Sequence, residues 1–221
     1  MDSLLHGGLD RSEYYPYPIR KGRTRELSVI DHLSSSDLSA EDYLKREEDS
    51  LLRHEYRRGN VHVMAEESDH HTLIAGNLAV LLKNHLRKSK YHSYISDTKV
   101  YIEAVNSYYY PDLVVSCDVL DRAFDDFLRY PCLVVEVLSP ETEAFDRADK
   151  FTDYRTLESL QEYVLISQNQ MSVECFRRTP EGEWVLYSYG EADRIQLVSV
   201  NFQCAVTEVY KNVDLSPVVQ S

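Results

Sequence analysis

One apolar run in the chain contains a single charged residue. Residues 132–138 read Cys-Leu-Val-Val-Glu-Val-Leu, and residues 113–115, which read Leu-Val-Val, follow directly after Asp112. Apolar side chains at both odd and even positions are typical of strands buried on both faces. An ionised carboxylate in such a strand is costly unless a cation or hydrogen-bond donors meet it. The pattern therefore predicts two acids, Asp112 and Glu136, on neighbouring strands of the core.

The segments before these strands predict two helices and a hairpin. Ser39, followed three residues later by Asp42, predicts the N-cap of a helix that runs to about residue 48. Residues 54–64 predict a hairpin with Gly59-Asn60 at its turn. Apolar residues at helical spacing then predict a helix over residues 69–88, with Asp69 as its cap.

The segments after these strands predict a second helix-rich region and a meander. In a helix over residues 146–157 we expect Phe151 and Tyr154 to face the core, and Arg147 and Asp153 to face water. Strands are predicted at residues 162–166, 173–176, 184–189 and 195–200, with a closing helix at residues 206–213, and one more strand, at residues 99–104, precedes the two acid-bearing strands. The fold class is therefore α/β or α+β, with a mixed sheet.

The chain divides into three predicted parts. Residues 1–38 form an N-terminal leader, extended or mobile, with prolines at 16 and 18 and a basic cluster of Lys21, Arg23 and Arg25. This leader is either a surface tail or an arm that contacts nucleic acid or a partner. Residues 39–213 form the compact domain, and residues 214–221 form a C-terminal tail.

Composition restricts the environment and the partners. The 221 residues suit one domain, and neither a membrane span nor a secretory signal is visible. The four cysteines are widely spaced and form no C-x-x-C, so we expect buried free thiols and a cytoplasmic protein. The net charge of −13 argues against tight, non-specific binding to duplex DNA.

Three motifs together resemble a known family. They are Pro111-Asp112, Glu136-Val137-Leu138-Ser139-Pro140, and Asp146-Arg147-Ala148-Asp149-Lys150-Phe151. The chain resembles the Uma-type putative restriction endonuclease family, a bacterial branch of the PD-(D/E)XK nuclease superfamily. The resemblance covers residues 39–210. Supporting matches are Glu55, Gly59, Met64, Ser68, His71, Asn77-Leu78 and Glu162-Tyr163-Val164-Leu165.

The resemblance implies a restriction-endonuclease-like mixed sheet flanked by helices, with a C-terminal antiparallel meander. Asp112 and Glu136 match the two metal-binding acids, and Glu55 matches an upstream acid near them. Leu138 occupies the position of the superfamily's usual lysine, and Lys150, in the following helix, matches the lysine that replaces it. These residues imply phosphodiester hydrolysis of nucleic acid, with DNA as the expected substrate, assisted by Mg²⁺ or Mn²⁺.

Two other interpretations stay open at the level of the whole protein. The missing lysine at position 138 and the acidic balance fit a nuclease-fold protein that only binds or regulates. A homodimer could assemble a DNA-facing surface from the basic leader.

Each candidate residue also has a structural explanation. Glu136 could pair with an arginine such as Arg155, and Asp112 could merely start a strand. Lys150 could form a surface i,i+4 pair with Asp146. Glu55 could form a cross-strand pair with Arg57 and Arg58. His71, at the start of a helix, could be a structural hydrogen bonder near the cap or could touch the site. The loop over residues 118–130 joins the two acid-bearing strands and could border the cleft.

Overall fold

The computed structural model describes residues 38–64, 67–123 and 126–216, so the leader predicted for residues 1–38 lies almost entirely outside the described residues. The helices are α1 (Ala40–Glu48), α2 (Asp69–Leu86), α3 (Glu143–Phe145), a π-helix (Asp146–Lys150), α4 (Phe151–Tyr154) and α5 (Val206–Val209). The strands are β1 (His54–Arg57), β2 (Asn60–Val63), β3 (His92–Ile95), β4 (Lys99–Ile102), β5 (Ser107–Tyr109), β6 (Leu113–Ser116), β7 (Phe127–Leu128), β8 (Pro131–Leu138), β9 (Glu162–Ser167), β10 (Ser172–Arg178), β11 (Trp184–Gly190), β12 (Arg194–Leu197) and β13 (Phe202–Ala205).

A mixed six-stranded sheet forms the centre of the fold. Its strand order is β11-β10-β9-β8-β6-β3, with β8 and β9 parallel and the other neighbours antiparallel. A five-stranded sheet has the order β2-β1-β5-β4-β7, and β12 pairs with β13 in a separate antiparallel ribbon. The predicted mixed α+β architecture with a C-terminal antiparallel sheet is therefore confirmed.

Strand β8 is buried along its whole length, as its apolar sequence predicts. Its residues alternate between two cores: Leu133, Val135 and Val137 pack in the cluster that contains the buried face of α2. Val134 and Leu138 pack in the cluster that contains α4 and residues of both large sheets. Because side chains alternate along a strand, Glu136 faces the side of the sheet that carries α4.

Local sequence explains where the first elements begin and turn. Ser39 caps α1 as predicted, since its hydroxyl accepts the Asp42 N–H. The hairpin turn is Arg58-Gly59 instead of Gly59-Asn60, because Arg57 pairs with Asn60 and both turn residues have positive φ angles. Helix α2 is capped by Ser68 instead of Asp69, which is the first helical residue.

The helical region after β8 differs most from the prediction. It begins at Glu143 instead of residue 146, and its middle turn is the π-helix. Asp153, expected to face water, is fully buried, because it accepts hydrogen bonds from Arg57 and Arg58 of the β1–β2 hairpin. Arg147 is exposed, as expected.

The cysteine prediction is half right. Cys175 and Cys204 are buried free thiols, whereas Cys117 and Cys132 form a disulfide. Their Cα atoms lie 5.8 Å apart, because Cys117 follows β6 and Cys132 lies near the start of the adjacent β8. Because two of the four cysteines are paired, the cysteines no longer indicate a reducing compartment, and a cytoplasmic location stays a prediction. No helix in the described residues is long and apolar enough to cross a bilayer.

Candidate active site

Strand pairing places the two predicted acids at the same end of the central sheet. Strands β6 and β8 are antiparallel, with Leu113 opposite Val135, so Asp112 continues this register opposite Glu136. The loop over residues 118–130 joins the opposite ends of these strands, and none of its described residues lines the site. The expectation that this loop borders the cleft was therefore wrong.

A cavity of about 360 Å³ opens at this end of the sheet. Asp112, Glu136, Lys150 and Glu55, the four predicted site residues, all line it. Each is at least nine-tenths buried as a residue. The walls also contain apolar groups: Val63, Met64, Tyr110, Val137 and Phe145.

Lys150 connects three of the carboxylates. Its Nζ lies 2.8 Å from Glu55 Oε1, 3.0 Å from Glu136 Oε1 and 3.6 Å from Asp146 Oδ1. The Asp146 contact is the predicted i,i+4 pair, but it is buried instead of lying on the surface. Glu136 meets Lys150 instead of Arg155, and Glu55 meets Lys150 while Arg57 and Arg58 pair with Asp153.

Burial and charge perturb both partners of the central ion pair. Burial raises the pKa of Glu136 well above its ordinary value, opposed by Lys150 and reinforced by Asp146, Asp112 and Glu55. Burial alone would lower the pKa of Lys150, but the charges of Glu136, Glu55 and Asp146 outweigh it and raise that pKa. Glu136 Oε1 is buried and, among the described residues, accepts no hydrogen bond of good geometry. The polar neighbour of this oxygen is the Lys150 ammonium, 3.0 Å away, so the oxygen is ion-paired.

Asp112 is held rigidly at the start of β6. Its Oδ2 accepts the Val137 N–H at 2.6 Å, and its Oδ1 lies 2.8 Å from His71 Nε2. Burial opposes the charging of His71, yet the hydrogen bond and charge of Asp112 raise the pKa of that imidazole. His71 therefore contacts the site, one of the two roles that the sequence left open.

A network of buried hydrogen bonds joins the β1–β2 hairpin, which contains Glu55, to α4, which follows Lys150. Asp153 accepts hydrogen bonds from Arg57 Nε at 3.0 Å and from Tyr109 Oη at 2.6 Å. Tyr110, the next residue after Tyr109, donates its backbone N–H to Glu55 Oε1 at 3.1 Å. The position of Glu55 thus depends on contacts between segments far apart in sequence.

Sequence reasoning missed several residues that line the cavity, among them Asp146, Glu67 and His62. Asp146 had a usable signal, because it lies one helical turn before Lys150 and within the same motif. Glu67 and His62 had none, since the cavity forms only when the hairpin and the start of α2 meet the central sheet.

The chain is similar to known proteins in sequence and in fold. The sequence matches the Uma2 family, described as putative restriction endonucleases, over residues 40–207. It is 38% identical to the uncharacterized protein slr1290 of Synechocystis sp. over 174 residues, covering 79% of this chain and 92% of that protein. It is 34% identical to the uncharacterized protein sll1609 of the same organism over 153 residues, covering 67% and 85%.

The fold is also similar to that of a solved structure, a putative nuclease belonging to DUF820 from Anabaena variabilis. The TM-score is 0.64 at 14% identity, covering 78% of this chain and 97% of that one. At this identity the likeness supports the fold alone. The match over residues 40–207 spans most of the chain and includes every residue of the predicted site. The chain therefore belongs to the Uma2 family of putative restriction endonucleases.

Proposed function

We infer that the protein is a metal-dependent nuclease that hydrolyses phosphodiester bonds of DNA. The observation that carries this proposal is the meeting of Asp112, Glu136 and Lys150 in one cavity, with Lys150 Nζ 3.0 Å from Glu136 Oε1. The two acids can bind a cation, and the cation and the amine together can stabilise the negative charge that develops on the phosphate during hydrolysis.

The residues fit a hard divalent cation. Carboxylate oxygens are the donors that Mg²⁺ prefers, and Mn²⁺ accepts the same donors. Asp112 and Glu136, which line the same cavity, would hold the ion. When bound, the cation would offset charge on the phosphate oxygens and lower the pKa of a water molecule.

The protein groups around the cation have separate tasks. Lys150, an ammonium among three carboxylates, supplies positive charge that can orient a water molecule and stabilise the charge that develops on phosphate. Glu55 positions that amine through its 2.8 Å contact. The Val137 N–H fixes the orientation of Asp112, so this acid needs little rearrangement during the reaction.

The test is cleavage of supercoiled plasmid, single-stranded DNA and RNA, each with Mg²⁺, Mn²⁺ or EDTA. We expect DNA cleavage that requires the metal and is abolished by Glu136→Gln. Glu181→Gln, a change in the exposed turn between β10 and β11, is the matched control and should leave cleavage intact. Cleavage that survives Glu136→Gln at the wild-type rate would overturn the assignment.

A binding or regulatory protein without cleavage is the second candidate. It is favoured by the acidity of the cavity, because a phosphodiester approaching clustered carboxylates is repelled until cations neutralise them. Calorimetry with Mg²⁺ and Mn²⁺ separates the two candidates. No metal binding at millimolar concentration would favour the second.

Assembly as a homodimer completes the nuclease proposal. Two copies would bring together two basic clusters of Lys21, Arg23 and Arg25, which could offset part of the net charge of −13 near DNA. Light scattering at several concentrations tests this. A monomer at high concentration would remove the dimer from the proposal.

A further inference from the structure

A second group of potential metal ligands lies beside the proposed Asp112–Glu136 site. One ligand atom each from Glu67, His71 and Asp112 lie within 4.8 Å of one another. All three residues line the same cavity. Of the three, only Asp112 belongs to the acid pair assigned above.

The start of α2 holds His71 in a fixed place. Ser68 accepts the His71 backbone N–H at 3.1 Å and donates its hydroxyl to Gln168 Oε1 at 2.5 Å. The imidazole then points at Asp112, and its residue is 8% exposed. Glu67, which precedes the cap, is exposed, and its carboxylate already lies within 4.8 Å of the other two ligand atoms. The hydrogen bonds described here therefore fix two of the ligands, and the third lies within reach.

The spacing of the fixed pair fits an octahedral ion. Two ligands about 2.1 Å from such an ion, at right angles to one another, are about 3.0 Å apart. His71 Nε2 and Asp112 Oδ1 lie 2.8 Å apart. A cation could replace the proton between them with only a small movement of either side chain.

The ligand types select among cations. Mg²⁺ is held by oxygen and keeps several waters, whereas imidazole nitrogen suits first-row transition metals. A site with one nitrogen and two carboxylates is therefore expected to prefer Mn²⁺ to Mg²⁺, unlike the oxygen-only pair of Asp112 and Glu136.

The charge of the cavity independently calls for more than one cation. Its ionisable lining consists of six carboxylates, one ammonium and two histidines, namely Glu55, Glu67, Asp112, Glu136, Glu141, Asp146, Lys150, His62 and His71. With neutral histidines and ionised acids, the formal charge is −5. One divalent ion would leave −3, which still repels a phosphodiester, and a second would leave −1.

We propose that Glu67, His71 and Asp112 form a transition-metal site that shares Asp112 with the Glu136-bound cation and prefers Mn²⁺ to Mg²⁺. A part for this ion in catalysis rests on the proposed function, whereas binding of the ion to these three residues does not.

The test uses full-length protein with Mn²⁺ and pulsed electron paramagnetic resonance, which detects ¹⁴N coupling from a coordinated imidazole. We expect ¹⁴N coupling in the wild type, its loss in His71→Gln, and its retention in Glu136→Gln. His70→Gln is the matched control, because His70 is adjacent on α2 and does not line the cavity. Calorimetry should show two Mn²⁺ per chain, one in His71→Gln, and at least tenfold weaker Mg²⁺ binding at the nitrogen-containing site. Circular dichroism establishes that each variant is folded.

Three results would overturn this site: no ¹⁴N coupling in folded wild type, coupling that survives His71→Gln, or coupling lost only in His62→Gln. These experiments distinguish failure of the metal-site proposal from failure of the nuclease proposal. Coupling without DNA cleavage would count against the nuclease proposal and support the metal site, and cleavage without coupling would do the reverse.

Discussion

Replacing Asp153 by asparagine should destabilise the protein far more than the same change at Asp149, although both acids pair with Arg57. Asp153 is fully buried and accepts hydrogen bonds from Arg57 at 3.0 Å, Arg58 at 2.6 Å and Tyr109 at 2.6 Å. Asp149 is 60% exposed and accepts one hydrogen bond from Arg57, at 2.9 Å. Comparing the stability of the two variants therefore separates the effect of burial from the effect of pairing with Arg57.

The magnitude follows from what remains after the change. Removing one partner of a buried ion pair costs about 3–5 kcal/mol. Arg58 is about half exposed and Arg57 retains Asp149, so both guanidinium groups can be partly solvated. We therefore expect the lower end, about 3 kcal/mol, for Asp153→Asn. Asparagine has nearly the same shape as aspartate, so no cavity contributes. Asp149→Asn should change stability little, because exposed pairs are screened by solvent.

Urea unfolding followed by circular dichroism and by the fluorescence of Trp184, the single tryptophan, measures the difference. For a chain of this size, about 3 kcal/mol corresponds to a decrease in Tm of about 6–12 °C. Equal urea midpoints for the two variants would refute the reasoning, because burial of Asp153 would then add nothing to its pairing.

The other predictions concern the amine and the cysteines. Lys150→Met should lower kcat for DNA cleavage by about 10²-fold or more at saturating metal, because it removes the stabilising charge; an unchanged single-turnover rate would contradict this. Cys117→Ser with Cys132→Ser should cost about 3 kcal/mol in urea unfolding, since the bridge closes a loop with a sequence separation of 15. Wild type kept under reducing conditions should have the same free energy of unfolding as that double variant. If the double variant is less stable than reduced wild type, lost packing and not the lost bridge accounts for the difference. Burial raises the pKa of Cys204 to about 11 and that of Cys175 further, so in native protein at pH 8 neither should react appreciably with a thiol reagent. At pH 8 a cysteine with the ordinary pKa of 9.0 is roughly one-tenth thiolate, whereas Cys204, with a pKa of about 11, is roughly one-thousandth thiolate. Rapid labelling without unfolding would contradict this.

Sequence alone predicted the parts of the fold that depend on local pattern. The run of apolar residues in β8 predicted both the buried strand and the buried acid within it, because each position contributes to the same signal. Ser39 marked the start of α1 because an N-cap involves only neighbouring residues. The four predicted site residues line one cavity, although their roles stay predictions.

The features that sequence missed depend on distant partners. Asp153 reads as a surface acid until Arg57, 96 residues earlier, is placed beside it. The disulfide joins cysteines whose spacing carries no motif, and only the pairing of β6 with β8 brings them together. The predicted hairpin turn was displaced by one residue because Arg58 adopts a positive φ angle, which is uncommon for a residue other than glycine.

The π-helix has a consequence for how the chain tolerates changes in length. Ordinary α-helix has 3.6 residues per turn, so each residue advances the side-chain direction by about 100°. The wider turn over Asp146–Lys150 keeps both of its end residues on the cavity wall. Deleting a single residue there, for instance Ala148, would restore ordinary winding and leave Asp146 and Lys150 three positions apart, about 60° from each other around the helix. Variants that shorten this segment by one residue should therefore keep both groups on the cavity side of the helix but move the Lys150 ammonium relative to Glu55 and Glu136.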